Sequence, residues 1–292
     1  MENSVCNDLI SAISELNIKT LTGVTVVCGA GFSQSYGLQC FRGDEGLFSS
    51  EEAAKTILEG ISDTVYTKRR DRDGAIICGL VDEDGIRKEK LFEHFLSNDC
   101  LYTIPEFFYS LLGYAFNQEL LEKAKQTIRQ SFTDGDYTDF IGALSTFCKM
   151  HKKSCDLYTL NVDGLLNYAG LDAIELHGRL GTDRCSTCAY VQPNESHYML
   201  RRDFSGTTKE YLNQYRCVKC GHLIRPEIVL LDEPESQMLM SKFLLSLQSS
   251  SCIVSIGVNS SNHIGRAIAA EGLIPDKTII YVTEKGIDIQ KG

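Results

Sequence analysis

Two cysteine pairs constrain the folding of this chain more than any other feature. Cys185-Ser-Thr-Cys188 and Cys217-Val-Lys-Cys220 each set two thiols in one tight turn, with 28 residues (189–216) between them. Two such knuckles complete a tetrahedral zinc site made of four thiolates. Four protein ligands leave no open position, so the zinc expected here is structural, and it holds together a stretch too polar to fold around a core of its own. The chain has twelve cysteines, and its opening "MENSVCNDLI" lacks a basic segment followed by an apolar one. That combination points to thiols and metal ligands in a reducing compartment, not to a disulfide framework. The eight cysteines outside the pairs have no ligand spacing and are expected mostly as small core residues.

The second signal is an alternation of short apolar runs with helical periodicity. "VTVVC" (24–28) is a β-branched run that ends in glycines, and similar runs return as "CDLYTL", "AIELHG", "EIVLL", "CIVSIGV" and "TIIYVT". Helical patterns at 5–17, 234–249 and 262–272 accompany them. Strands alternating with helices predict a Rossmann-like α/β fold, a parallel sheet with helices on both faces. Two blocks break the rhythm. Residues 50–130 are largely helical around a charged interruption whose Asp-Gly pairs suggest a loop or hairpin, and 180–224 carry the cysteine pairs. The expected organisation is a large domain from 1–49, 131–179 and 225–292, with a smaller domain made of a helical module (50–130) and a zinc-ribbon-like module (180–224).

Composition narrows the function classes. The 43% hydrophobic content of 292 residues is enough for a sizeable core. A net charge of −10 provides no overall positive field for phosphate backbones, so no direct nucleic acid binding is expected. No run of 18 uninterrupted apolar residues occurs, and the most apolar region, "IPEFFYSLLGYAF", contains Pro105 and Glu106. The expectation is an unsecreted, intracellular protein of the cytoplasm or nucleus, with no membrane partner.

After the first strand comes "GAGFSQSYGLQCFRG" (29–43). A dinucleotide turn uses its first glycine for the bend, its second for close approach to phosphate and its third for helix packing. Gly29 and Gly31 fill the first two places, but Gln34 takes the third, and no acidic residue ends a second strand about 20 residues on. Hydride transfer loses support accordingly. Phe41 and Arg42 follow, a ring able to cover a ring and a cation able to pair with phosphate. At two later strand ends stand Asn161 with Asp163, and His177. An Asp at a helix start is most often an N-cap, but ligands of open parallel sheets also lie beyond the carboxyl ends of strands. A histidine there can take a proton near neutral pH.

In this order, Gly29-Ala30-Gly31-Phe32-Ser33, Phe41-Arg42-Gly43, Thr159-Leu160-Asn161-Val162-Asp163, Leu176-His177-Gly178, the two cysteine pairs, "IRPEIVLLDE" and "SIGVNSS" resemble the sirtuins, over roughly residues 20–285. The resemblance implies an NAD-dependent protein-lysine deacylase that transfers the acyl group to ADP-ribose and releases nicotinamide. It implies that Gly29, Ala30, Gly31, Ser33 and Arg42 hold the pyrophosphate. Phe41 shields the reactive ribose carbon, Asn161 and Asp163 line the nicotinamide pocket, and His177 is the general base. Gly257, Asn259, Ser260 and Thr283 fall on the adenosine side, and "RPEIVLLDE" matches the segment that clamps an acyl-lysine peptide by β-augmentation. Departures from the family pattern are Leu160 for a glutamine, Gln39-Cys40 for proline and aspartate, and Leu231-Asp232 for phenylalanine and glycine. They keep open an alternative on the same fold, an ADP-ribosyltransferase or NAD glycohydrolase, motivated by Leu160, Cys40 and Asp232.

Overall fold

The computed structural model describes residues 22–42, 46–61, 65–70, 74–81, 85, 87–133, 144, 148, 155–194 and 198–292. The helix predicted over 5–17 lies outside the described residues. The first six strands are β1 (Val24–Cys28), β2 (Val65–Arg69), β3 (Ile76–Val81), β4 (Arg87–Leu91), β5 (Cys155–Thr159) and β6 (Ile174–Glu175). The next six are β7 (Gly178–Cys185), β8 (Val191–Pro193), β9 (Ile224–Ile228), β10 (Cys252–Ile256), β11 (Thr278–Thr283) and β12 (Gly286–Lys291). The described residues within Met1–Leu38, Glu122–Gly178 and Glu235–Gly292 form one compact unit, and those within Gln39–Leu121 and Arg179–Pro234 form another. These divisions fall at 38/39, 121/122, 178/179 and 234/235.

The first unit is built on a six-stranded sheet in the order β12-β11-β10-β1-β5-β6. β1 and β10 are buried at every position, as β-branched runs covered on both faces must be. Pairing from β11 through β6 is parallel, but β12 runs antiparallel to β11 at one edge, so the sheet is mixed where a parallel one was expected. The helix Gln237–Ser249 starts at a Ser236 side-chain cap and His263–Glu271 at an Asn262 cap, both close to their predicted ranges. Phe243 and Leu247 of one and Ile264 and Ile268 of the other, each pair four residues apart, pack into a cluster with Val27, Ile253 and Ile279. Burying side chains of this size contributes roughly 1.5–3 kcal/mol each. Polar groups inside the unit are matched: the Thr25 hydroxyl lies 2.7 Å from those of Ser246 and Ser250. Lys277 donates from its buried ammonium to the carbonyls of Leu247 (2.7 Å) and Gln248 (3.0 Å) and to the Glu271 carboxylate.

The second unit has two three-stranded sheets, β2-β3-β4 and β8-β7-β9. β2, β3 and β4 pair antiparallel in chain order, so the charged interruption of the expected helical module is built of hairpins, one of the two forms its Asp-Gly pairs suggest. Tyr66 crosses this sheet over Gly79, where an added Cβ would sit 2.3 Å from the ring. "EIVLL" (227–231) is a correction, because only Glu227 and Ile228 of it lie in a strand. β9 (Ile224–Ile228) joins β7 in the small sheet, and its alternating burial fits a strand covered on one face only. The helix Pro105–Ala115 begins with proline at its first turn and buries Phe107, Phe108, Tyr109, Leu111 and Leu112. Tyr109 stacks on Tyr215 with ring centroids 4.0 Å apart, and Tyr198 and Tyr211 complete the group. Beneath it, buried Asp183 accepts from Tyr198 and from Asn194 (3.1 Å). No helix among the described residues is long and apolar enough to cross a membrane.

Candidate active site

Strand register assembles the site. Cys28 lies beside Ile256 and Thr159, Thr159 beside Glu175, and Ile256 beside Val282. The residues just past these strands, Gly29, Leu160-Asn161, His177 and Gly257, and Thr283 at the end of β11, therefore emerge along one carboxyl edge, where open α/β sheets bind ligands.

At the centre of that edge three glycines meet. Gly29 N–H donates to Ile256 O (2.8 Å) and Gly31 N–H to Gly257 O (3.1 Å). A Cβ on Gly29 would lie 2.6 Å from Gly257 O, one on Gly31 2.9 Å from Gly257 Cα, and one on Gly257 2.6 Å from Gly31 Cα. Gly257 also has φ +57, in the left-handed region. The glycine turn is thus a place where two backbones touch.

Around the turn, Asn161 Nδ2 donates to Gly29 O (2.9 Å) and to the Ser33 hydroxyl (2.8 Å), which donates on to Asp163 Oδ2 (2.5 Å). Asp163 Oδ1 accepts at 2.9 Å from the N–H of Leu165, the first residue of the short helix Leu165–Tyr168, whose N-cap is Gly164. Burial pushes the Asp163 carboxyl up from its ordinary value, while the Ser33 hydroxyl and the Leu165 N–H pull it back. Nearby Cys28 is fully buried; burial first, then the charges of Cys148 and Asp163, push its thiol far up, which makes it a packing residue.

Leu176 and His177 form the turn between β6 and β7. Nδ1 of His177 lies 3.0 Å from Leu160 O and its Nε2 2.8 Å from Glu235 Oε1. The other carboxylate oxygen of Glu235 lies 2.9 Å from Nε2 of His263. Sequence reasoning singled out neither Glu235 nor His263, and no local motif marks them. The Leu160 side chain packs against the core cluster.

The remaining expected site residues are placed as follows. Ala30 opens the helix Ala30–Gln34, in which Ser33 is buried. Asn259 accepts from the N–H and hydroxyl of Ser261, and Ser260 is exposed beside it. Thr283 is exposed and donates to Gly286 O (3.3 Å) in the β11–β12 turn. Phe41 and Arg42 belong to the second unit, where Phe41 packs on Phe48 and Phe116 at 5.4 and 5.5 Å and exposed Arg42 faces Glu93 at 3.7 Å. Cys40 is half-buried there, its carbonyl accepting from Leu47 N–H (2.8 Å). Asp232 is engaged structurally, because its carboxylate accepts from the backbone N–H groups of Asn98 (2.9 Å) and Asp99 (3.1 Å) at the start of the helix Asn98–Thr103. In the segment expected as a peptide clamp, Leu230 N–H donates to Glu233 (3.0 Å), Leu231 N–H donates to Leu96 O (3.0 Å), and Ile228 O accepts from Arg225 (3.2 Å).

The four paired cysteines, in the second unit, meet as the sequence requires: the sulfurs of Cys185, Cys188, Cys217 and Cys220 lie within 4.8 Å of one another. Burial pushes the Cys185 thiol up, but N–H groups of Cys188 and Thr187, with the neighbouring thiols, outweigh it and bring it down to about 6. Lys219 N–H donates to Cys217 in the same way at 3.4 Å. Four soft donors of this kind fit a tetrahedral zinc and leave it no open position.

A glycine turn of this form, a histidine at the same sheet edge and a four-cysteine knuckle define a class of Rossmann-like proteins with a zinc module. The Sir2 family model matches residues 78–264, more than half of the chain, and the protein belongs to the Sir2 family. A "NAD-dependent protein deacetylase" of Staphylococcus epidermidis is 35% identical over 107 residues, 36% of this chain. That match spans 39% of the relative's own length. "NAD-dependent protein deacetylase 2" of Geobacillus kaustophilus is 23% identical over 93% of this chain and 86% of its own. Among solved structures, "Sir2-p53 peptide-NAD+" is alike in fold with a TM-score of 0.57 at 16% identity, covering 94% of this chain and 86% of that one.

Proposed function

We propose that this protein is an intracellular NAD-dependent protein-lysine deacylase of the cytoplasm or nucleus. It takes an acyl-lysine protein or peptide and NAD, and moves the acyl group to ADP-ribose with release of nicotinamide. The observation that carries this reading is His177, held by Leu160 O at the same sheet edge as the Gly29–Gly31 turn and the Asn161–Ser33–Asp163 chain. Relatives named as NAD-dependent deacetylases and deacylases support it.

In this reading Gly29, Ala30, Gly31 and Ser33 carry the pyrophosphate, with Arg42, since no side chain at the glycines blocks approach to the backbone. Asn161 and Asp163 orient the nicotinamide end, Phe41 shields the ribose carbon, and Gly257, Asn259, Ser260 and Thr283 face the adenosine side. The acyl carbonyl oxygen bonds to the ribose carbon as the bond to nicotinamide breaks, and His177 takes a proton from a ribose hydroxyl. Cys185, Cys188, Cys217 and Cys220 hold a structural zinc. Of the three departures that motivated ADP-ribosyl transfer or NAD hydrolysis, Asp232 is engaged as a helix cap and Leu160 as core packing.

The test is nicotinamide release by the zinc-loaded protein, with and without acetyl-, succinyl- and long-chain acyl-lysine peptides. Peptide-dependent release with matching O-acyl-ADP-ribose is expected, and His177→Ala is expected to lower it about 10²–10⁴-fold. Peptide-independent release would instead establish the transferase or glycohydrolase.

A further inference from the structure

The hydrogen count at His177 is informative. Leu160 offers a carbonyl, which only accepts, so Nδ1 of His177 carries a hydrogen. Nε2 then lies 2.8 Å from Glu235 Oε1, and an imidazole lone pair and a carboxylate cannot hold that separation without a proton between them. One proton is therefore shared by His177 and Glu235. On the far side of the carboxylate, Oε2 is held by Nε2 of His263, the first residue of its helix, at 2.9 Å. The side chains of Glu235 and His177 are 22% and 28% exposed, and that of His263 54%, so the bridge runs from the partly covered histidine toward water. Both ring nitrogens of the proposed base are thus occupied by protein groups.

We propose that Glu235 is a positioning residue for His177, which parks the imidazole with Nε2 already loaded, so that a ribose hydroxyl of NAD must displace the carboxylate before Nε2 can take a proton. This rests on the deacylase reading above. As the hydroxyl arrives, the shared proton leaves with the Glu235 carboxyl, which His263 retains, and the Nε2 lone pair becomes available. The hydroxyl O–H bond then breaks to give its proton to Nε2. The carboxylate acts as an internal competitor for the position that the co-substrate needs.

The experiment is long-range 1H–15N NMR of the histidine rings in the zinc-loaded full chain, with His177→Ala assigning the signals, beside steady-state kinetics in NAD. In the wild type, Nε2 of His177 is expected to show the shared proton; in Glu235→Ala the ring becomes the neutral Nδ1–H form. Glu235→Gln can rebuild the bridge with its amide N–H donating to Nε2, and leaves the ring neutral. Adding NAD to the wild type moves the His177 signals toward those of Glu235→Ala. The KM for NAD falls about three- to tenfold in Glu235→Ala with a smaller change in kcat, and returns near the wild-type value in Glu235→Gln. Identical ring signals in wild type and Glu235→Ala overturn the bridge. Wild-type signals that ignore NAD overturn the displacement. A protein that turns over no NAD sinks the deacylase reading, while the ring signals still decide the role of Glu235.

Discussion

The turn after β1 and the knuckle at the end of β7 are both tight bends at strand ends, built from different materials. At the first, Gly29, Gly31 and Gly257 bring backbone against backbone, and Asn161, Ser33 and Asp163 satisfy one another around the contact. That arrangement rests on β1 and β10, which are wholly buried. At the second, backbone N–H groups point at sulfur, Cys188 and Cys220 are exposed, and the neighbouring β8 is mostly exposed. Burial holds the one in place; the other depends on an ion that ties four sulfurs together.

The sharpest way to break this comparison is to remove the ion. Chelation, or Cys188→Ser, is expected to unfold the module around Cys185–Cys220, since a structural zinc contributes an apparent 10–16 kcal/mol in isolated knuckle peptides, on the order of a whole domain's stability. Limited proteolysis should cut first within 185–220. Survival of that stretch with zinc stripped would show that it is held by packing after all. Next in size is Gly257→Ala. The new methyl meets backbone and the residue must keep a left-handed φ, so a loss of about 2–4 kcal/mol in urea unfolding is expected. A loss below 1 kcal/mol would mean that the two strand ends can move apart freely.

Smaller effects test the caps. Asp232→Ala removes the acceptor for two N–H groups at the start of Asn98–Thr103 and is expected to cost about 1 kcal/mol. If Asp232 instead governs chemistry, the variant will alter the ratio of peptide-dependent to peptide-independent nicotinamide release and leave stability alone. The smallest effect is at Asp163. Its carboxyl is raised in the folded state, so its stabilising share is fully present below the ordinary carboxylate value of about 3.9 and is lost as pH rises through the folded value. Near neutral pH the charge therefore costs stability. Asp163→Asn is expected to raise Tm by a degree or two at pH 7, with the gain shrinking toward pH 4. A gain that grows on acidification would refute the sign.

Much of this was legible in the residues because the signals were local. The β-branched runs 24–28, 252–256 and 278–283 and the capped helices 237–249 and 263–271 carry their own periodicity and end signals. The cysteine pairs fix a tetrahedral cluster by spacing alone. What stayed hidden depends on distant partners. "EIVLL" has the composition of a parallel-sheet strand, yet only Glu227 and Ile228 of it belong to β9, and nothing inside it records that β9 joins β7. Asp232 caps a helix that begins 134 residues earlier, so as a sequence departure it resembled a change in chemistry. The Asp-Gly pairs do suggest the hairpins of β2–β4, but nothing local marks the pair that Lys68 and Glu89 make across strands, 21 residues apart. Glu235 and His263 lie 58 and 86 residues from His177, and only the fold brings the first against it and the second against the first.

The tyrosine stack of Tyr109, Tyr198, Tyr211 and Tyr215 also makes the second unit visible. The chain has no tryptophan, so tyrosine dominates its near-ultraviolet signal. Four of its thirteen tyrosines sit in one buried group in that unit, two of them face to face, with Tyr198 bonded to the carboxylate of Asp183. Rings fixed in an asymmetric setting give strong circular dichroism, and freely rotating ones give almost none. The intact protein thus carries a label-free optical gauge of its second unit, readable in the same cuvette in which the metal is withdrawn.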